Sequence, residues 1–138
     1  MVALLMSYFL DEKPRLIHAS YWRAMNLSDS LWSLPVVPGI RMAGRPLYVL
    51  TSRRTASAAE MFAYGARRLG IATLVGETTA GAGQGGMTYS VGEGITLFSP
   101  ERRVLTGPGW EGAGVTPDLA VPADQALERA LAASRKKR

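Results

Sequence analysis

The chain has 138 residues, 47% of them hydrophobic and 20% charged, a composition that excludes a disordered protein and predicts a single domain over residues 1–138. It has no cysteine and one histidine, which excludes disulfides and cysteine nucleophiles and argues against a metal site. The net charge of +5 comes largely from residues 135–138, where we expect a solvated terminus because no aromatic-interleaved basic patch indicates nucleic-acid binding.

The first third of the chain predicts a helix, a strand and a short helical segment. Residues 1–10 predict an amphipathic helix rather than a signal peptide, since early positive charge and a cleavage site are lacking. No apolar run reaches membrane-spanning length. Residues 15–20 are short and apolar enough for a strand. Residues 26–34, "NLSDSLWSL", begin with capping residues and predict one or two helical turns.

The middle of the chain predicts a strand–helix–strand unit. Residues 47–51, "LYVLT", are apolar on both faces, which is typical of a buried central strand. Residues 57–69 predict a helix with Gly70 at its C-terminal cap, and residues 72–76 predict a second buried strand. This spacing indicates a βαβ unit with parallel strands.

A glycine-rich loop, residues 76–86, follows the second strand. It lacks the G-K-[ST] ending and the following helix of a phosphate-binding loop, so we expect a loop that passes close to another backbone segment. Residues 87–91, 94–100 and 102–107 predict a small antiparallel set. Residues 123–134 are rich in helix formers and predict a terminal helix.

Ser57 stands where the apolar run "PLYVLTS" gives way to the helical "MFAYGARRLG". With Glu60 it forms the S-x-x-E pattern of a capping box. A strand-to-helix turn is also a place where enzymes hold a nucleophilic serine, and the N–H of Ala58 would then point at a developing oxyanion. The local sequence alone favours the cap, because serine caps are much commoner than nucleophiles.

Two further residues are candidates for acid–base chemistry. His18 would suit a general base, but the apolar segment around it favours a core or rim position. Glu111 lies in "GWEGAG", next to Trp110. A carboxylate in a glycine-rich loop is usually solvated, yet one beside an indole can be positioned and partly desolvated, as an orienting acid must be.

Three segments in order resemble the C-terminal processing (tail-specific) serine protease family: "YVLTSRRTASAAEMFAY", "ATLVGETTAGAGQGG" and "WEGAGVTPDLAVPADQAL". The branch is the one that contains interphotoreceptor retinoid-binding protein and many bacterial homologues. The segment upstream of the serine also resembles this branch, so the resemblance covers nearly the whole chain. It implies an α/β fold with a crotonase/ClpP-like core, in which ββα units stack into a twisted sheet surrounded by helices.

The resemblance implies roles for individual residues. Ser57 matches the family's nucleophile, and Ala58 matches the residue whose N–H forms half of the oxyanion hole. Glu77 matches a carboxylate that follows the second core strand. Ala82 stands where the processing proteases carry a lysine base, so their Ser–Lys dyad is absent. Glu111 resembles the glutamate of a tricorn-type serine–histidine–glutamate arrangement, whose histidine lies upstream of the region this chain covers.

Two features of the family are missing from this sequence. One is a "D-x-R-x-N-x-G-G" turn that supplies the second oxyanion donor, and the other is a PDZ-like peptide-binding domain. We therefore expect the C-terminal part of a catalytic core, weak or inactive by itself. Apolar surface exposed by the missing part would favour a homo-oligomer, with the helix of residues 1–10 as the expected seam.

Two classes of function follow from these observations. The first is a serine-type peptidase that acts on peptide or unfolded-protein substrates through Ser57, with no metal or cofactor and no nucleic-acid partner. The alternative is a non-catalytic module for an apolar ligand or peptide, since six methionines and three tryptophans offer adaptable contact surface. The family resemblance favours an exported or periplasmic protein, although no signal peptide is recognisable.

Overall fold

The computed structural model describes residues 1–135 and shows a mixed α/β fold with three helices and eight strands. The elements are α1 (Val2–Ser7), β1 (Leu16–Trp22), β2 (Leu27–Trp32), β3 (Leu47–Thr51), α2 (Ala58–Arg68), β4 (Ala72–Gly76), β5 (Gly86–Gly92), β6 (Ile95–Pro100), β7 (Arg102–Val104), β8 (Leu119–Ala120) and a 3-10 turn (Ala123–Gln125) that runs into α3 (Ala126–Arg135). The basic run predicted to be a solvated terminus lies, apart from its first residue, outside the described residues. Within residues 1–135 no helix is both long and apolar enough to cross a membrane.

A parallel sheet is built around the predicted strand–helix–strand unit. Its order is β3-β4-β8, and both pairs are parallel. α2 connects β3 to β4, and Gly70 ends the helix with a φ of +70°. β4 is buried on both faces, because Leu74 packs with Ala63 of α2 while Val75 packs with Ala126 of α3. The predicted βαβ unit is confirmed.

The strand predicted at residues 47–51 is present, but its predicted place in the sheet is wrong. Among the residues described, β3 lies at the edge of the sheet, and Leu50 is 45% exposed. The central position belongs to β4. An apolar run cannot by itself distinguish an edge from a centre, since pairing depends on residues that are distant in sequence.

Residues 26–34 form a strand and not the predicted helical turns. β2 pairs antiparallel with β1, and Asn26 lies in the connecting turn with a φ of +48°. The polar residues that suggested a helix cap serve the strand pair instead, because the Ser20 hydroxyl and Trp22 Nε1 both donate to Asp29. Short polar side chains suit a cap or a turn equally well, and here the cross-strand partners decide.

The three segments predicted as one antiparallel set belong to two sheets. β5 and β6 pair as a hairpin, as predicted. β7 pairs antiparallel with β1 instead, which gives a second sheet of order β2-β1-β7. The N–H groups of Glu101 and Arg102 both donate to Gly85 O at 3.0 Å, and these bonds tie the start of β7 to the base of the hairpin.

The N-terminal helix is shorter than predicted and packs on α2. α1 ends at Ser7 rather than at residue 10. Met6 and Leu10 are buried together with Ile17 of β1 and Ala66 of α2. A helix of six residues is too short to be stable alone, so this packing is what stabilises it.

The ends of β3 and β4 approach closely at Gly76. Its φ is +133°, and an added Cβ would lie 2.0 Å from the carbonyl oxygen of Thr51. That oxygen accepts the Glu77 N–H at 3.0 Å, while Thr51 Oγ1 donates to Glu77 O at 2.8 Å. Only glycine fits this position. The loops that follow the two strands therefore leave the sheet side by side.

Gly76→Ala should destabilise the fold by about 3 kcal/mol, because the added methyl group cannot avoid the Thr51 oxygen. Gly70→Ala is the matched control, since its φ is also positive but no atom lies within 4 Å of an added Cβ. We expect that control to lose only about 1 kcal/mol. Urea unfolding followed by circular dichroism measures both losses. Equal losses in the two variants would contradict the close approach.

Candidate active site

Two loops meet at the carboxyl edge of the parallel sheet, the place where open α/β sheets bind ligands. β3 leads into the turn of residues 52–57, and β4 leads into the glycine-rich loop of residues 76–86. The Thr55 N–H donates to Ser52 O at 2.9 Å, and Thr55 Oγ1 accepts the Ser52 N–H at 3.0 Å. Ala80 N–H donates to Thr55 O at 2.9 Å and so fastens the loop to the turn.

Ser57 adopts an unfavourable backbone conformation at the start of α2. Its φ of 55° and ψ of −117° lie outside the regions that non-glycine residues normally adopt. Its side chain is exposed, and its hydroxyl donates to no other residue in the described part of the chain. The predicted helix start is confirmed, because α2 begins at Ala58 and Ser57 forms a capping box with Glu60. Strained backbone of this kind concentrates at functional sites.

The first amide of α2 is available to a ligand. Ala58 is exposed, and its N–H has no acceptor within residues 1–135. It lies at the N-terminus of an 11-residue helix, where the helix dipole favours negative charge. The sequence-predicted nucleophile and oxyanion donor are thus adjacent, exposed groups at one helix end.

A buried carboxylate behind Ser57 joins the two loops. Glu60 is 0% exposed. Its Oε2 accepts the N–H groups of Ser57 and Ala82, each at 2.9 Å. Its Oε1 accepts the Gly81 N–H at 2.7 Å and the Thr79 hydroxyl. These four donors replace the water that the carboxylate loses on burial.

The shared carboxylate oxygen places Ala82 beside Ser57. Both N–H groups donate to Glu60 Oε2 at 2.9 Å, so the two nitrogens lie within twice that distance of each other. Ala82 is exposed, as is Ser57. A long side chain at residue 82 would therefore start next to the serine.

Glu111 holds the second half of the glycine-rich loop. Its Oε2 accepts the N–H groups of Gly83 and Gln84, both at 2.7 Å. The neighbouring Trp110 is 1% exposed and anchors this segment in the core. Glu111 itself is exposed, although the sequence suggested partial desolvation beside the indole. Within residues 1–135 it makes no hydrogen bond to Ser57, to which it is connected only through the loop.

Four successive N–H groups of the loop, residues 81–84, therefore donate to carboxylates. The loop also runs against a neighbouring segment. Added Cβ atoms at Gly81 and Gly83 would lie 3.0 Å from the carbonyl carbon of Gly112 and 3.0 Å from Trp110 Nε1. Gly112 N–H donates to Gly81 O at 2.8 Å. The prediction of a loop in close contact with another backbone segment is confirmed.

His18 lies in the core, away from this site. It is 4% exposed on β1, and its ring centroid lies 5.9 Å from that of Trp110. Trp110 packs in turn on Tyr64, with centroids 5.0 Å apart. Tyr64 follows Ser57 by about two helical turns, or roughly 10 Å. The predicted core position of His18 is confirmed, and this arrangement gives it no contact with Ser57.

Sequence reasoning assigned Glu60 to the helix cap and missed its bonds to the glycine-rich loop. The available signal was indirect. The loop offers several N–H groups but no phosphate-binding motif, so those donors need acceptors from within the chain. A glutamate in the first turn of the neighbouring helix is the nearest candidate by topology.

The comparisons with known proteins identify the family of this chain. The family model described as peptidase family S41 matches residues 7–121, which is more than half of the chain. This chain belongs to peptidase family S41. The resemblance to C-terminal processing proteases seen in the sequence is thereby confirmed.

Solved structures share the fold of this S41 chain. A putative peptidase from Parabacteroides merdae has a TM-score of 0.73 and 22% identity over 96% of this chain and 46% of that one. Mature CPAF has a TM-score of 0.69 and 14% identity over 99% and 39%. The photosystem II D1 C-terminal processing protease has a TM-score of 0.64 and 20% identity over 88% and 31%. The S41 chain thus spans less than half of each of these three proteins.

Glu60→Gln should destabilise the S41 chain by about 2–4 kcal/mol, because an amide NH₂ would face N–H donors that need an acceptor. Glu128→Gln removes the same charge from an exposed position on α3 and should change stability by less than about 0.5 kcal/mol. Urea unfolding measures both variants. Limited proteolysis of Glu60→Gln should cut first within residues 76–86. Equal stability of the two variants would contradict the role of Glu60.

His18→Leu should make the stability of the fold less sensitive to acid. Burial lowers the pKa of His18, Arg102 lowers it further, and Asp29 partly opposes the shift. Below the unfolded-state pKa of about 6.5, His18 binds a proton in the unfolded chain but not in the folded chain. Its effect on the free energy of unfolding is therefore absent above that pH. Below it, the free energy of unfolding falls by at most about 1.4 kcal/mol per pH unit. Urea unfolding across this range measures the slope, and parallel profiles of the two proteins would contradict the prediction.

Proposed function

We propose that Ser57 is the nucleophile of this serine peptidase domain and that the Ala58 N–H forms half of its oxyanion hole. One observation carries the proposal: an exposed serine in a strained strand-to-helix turn directly precedes an N–H without an acceptor in the described residues. The N-terminus of α2 would stabilise the negative charge that develops on the carbonyl oxygen of the substrate. Both residues also match the family's pattern by position.

The proposed reaction is acyl transfer from a peptide to water. Ser57 Oγ would bond to the carbonyl carbon of the scissile peptide while its proton leaves to a base. The oxyanion of the tetrahedral intermediate would accept a hydrogen bond from the Ala58 N–H. The intermediate would then expel the amine, which takes up the proton from the base. Water would then attack the acyl-enzyme in the same way and release Ser57.

Residues 1–135 place no base at the Ser57 hydroxyl. Ala82, beside Ser57, stands where processing proteases of the family carry a lysine. We propose Glu111 as the orienting acid for a base from outside these residues, since Gly83 and Gln84 hold its carboxylate in place. Lack of a base costs about a hundredfold in rate or more, and lack of a second oxyanion donor costs a similar factor. The isolated chain would therefore be a weak peptidase or none.

The finer architecture we propose is part of a crotonase/ClpP-like core, formed as one domain over residues 1–138. The β3-α2-β4 unit, with α3 packed on the opposite face of β4, supports this assignment. Met1, which precedes α1, and Leu5 on α1 are 93% and 47% exposed, which supports a homo-oligomer with its seam at this helix. The proposed substrate is a peptide or an unfolded protein, and no nucleic acid takes part.

The β5–β6 hairpin favours a second candidate function. Six apolar side chains on its two faces are each at least 41% exposed: Met87, Tyr89, Val91, Ile95, Leu97 and Phe98. A two-stranded hairpin is marginally stable in water unless it packs on something. An apolar ligand or peptide would bury this surface, which supports a non-catalytic binding module of the kind that the retinoid-binding relative suggests.

Labelling with a fluorophosphonate separates the two functions. We expect slow modification of the 138-residue chain that reaches one label per chain at Ser57, located by mass spectrometry of peptides and abolished in Ser57→Ala. Ser30→Ala, which removes an exposed hydroxyl from β2, should leave the labelling unchanged. Absence of labelling would favour the binding module if the chain also binds an apolar fluorophore saturably. Polar substitution of the six exposed apolar side chains of the hairpin should then abolish that binding.

A lysine at residue 82 provides a more sensitive form of this test. Ala82→Lys would place an amine beside Ser57 and should raise the rates of labelling and of peptide hydrolysis by about a hundredfold. Ala80→Lys adds the same charge to the same loop, where the residue is fastened to Thr55, and should give no gain. Equal activity in the two lysine variants would count against Ser57 as the nucleophile.

A further inference from the structure

A basic cleft lies beside the far end of the glycine-rich loop. It has a volume of about 400 Å³ and is open to solvent. Its lining includes Tyr21, Arg23, Gln84, Glu101, Arg102 and Arg103. The elements that form it are the end of β1, the loop and the start of β7, so the β2-β1-β7 sheet and the loop of the candidate active site both contribute to its position.

The cleft carries more guanidinium groups than carboxylates. Three guanidinium groups and one carboxylate line it, and none of the three arginines forms an ion pair within residues 1–135. The Glu101 carboxylate accepts the Tyr89 hydroxyl. Arg102 is held over the Trp22 ring at 5.6 Å, and its buried Nε has no partner in the described part of the chain. Among the described residues the cleft therefore presents guanidinium groups that form no ion pair, of which Arg102 is held in place.

The glycine-rich loop connects this cleft to Ser57. Ala82 shares the Glu60 carboxylate oxygen with Ser57, and Gln84, two residues further along, lines the cleft. Two residues of extended chain span about 7 Å at most. The other wall is joined to the same loop, because Arg102 N–H donates to Gly85 O at 3.0 Å. A peptide held at Ser57 would thus reach the cleft with a side chain only a few residues from the scissile bond.

We infer that this cleft binds acidic side chains of the peptide substrate and makes the domain select peptides with Asp or Glu close to the cleaved bond. Guanidinium groups bind carboxylates through paired, charge-assisted hydrogen bonds. The inference rests on the proposed peptidase function. A nucleic acid is a poorer fit, since the Trp22 face is covered by Arg102 instead of being open for base stacking.

Binding to the Ser57→Ala chain tests this inference without requiring catalysis. The probes are a fluorescein-labelled peptide in which every third residue is Glu and the same peptide with Gln in those places. Fluorescence anisotropy should give about tenfold tighter binding of the Glu peptide, from two carboxylate–guanidinium pairs at roughly threefold each. Arg23→Gln combined with Arg103→Gln should abolish the preference. Both side chains are exposed, so the double variant should fold.

Arg129→Gln is a control for the loss of positive charge elsewhere, because it removes one positive charge, against two in the double variant, from an exposed position on α3. It should keep the preference for the Glu peptide. Equal affinity for the two peptides, no binding of either, an equal loss in the Arg129→Gln control, or stronger binding of a single-stranded oligonucleotide would each overturn the inference. Selective binding by a chain whose Ser57 resists fluorophosphonate even in the Ala82→Lys variant would reject the peptidase function while leaving the acidic-peptide site intact.

Discussion

The buried carboxylate of Glu60 is the interaction on which the rest of the site depends. It lies in the first turn of α2, where the helix dipole favours negative charge. It accepts hydrogen bonds from the turn that precedes α2 and from the loop that follows β4. The helix, the turn that precedes it and the loop that follows the sheet are thereby held as one unit. The strained backbone of Ser57 is fixed by the hydrogen bond from its N–H to Glu60, while the residue itself remains exposed.

The sheet beneath this carboxylate determines where the two loops begin. Parallel pairing puts the ends of β3 and β4 at one edge, and Gly76 lets the two backbones approach closely there. Glu111 then extends the same principle along the loop by binding the next two N–H groups. Rigid strands, close backbone contact and carboxylate acceptors together position an exposed serine. Few of these contacts involve the serine hydroxyl itself.

Much of this arrangement could be predicted from the sequence because it depends on local signals. The strands at residues 47–51 and 72–76, and the helix between them, follow from apolar runs, spacing and a capping box. The strand at residues 27–32 could not be predicted, since Asp29 finds its partners across a hairpin that no local pattern specifies. The edge position of β3 was missed for the same reason. The second role of Glu60 needs contacts with residues about twenty positions away, which single-sequence patterns do not encode.

The filled glycine-rich loop has a consequence for ligand binding. Successive backbone N–H groups in such a loop form a nest that in other proteins captures phosphate. Here the chain supplies its own anions, so residues 81–84 already hold two tethered carboxylates. A tethered group acts at a high effective concentration, and a free phosphate would have to displace it. The glycine-rich sequence resembles a phosphate-binding loop, but in the folded chain its N–H groups link segments that are far apart in sequence.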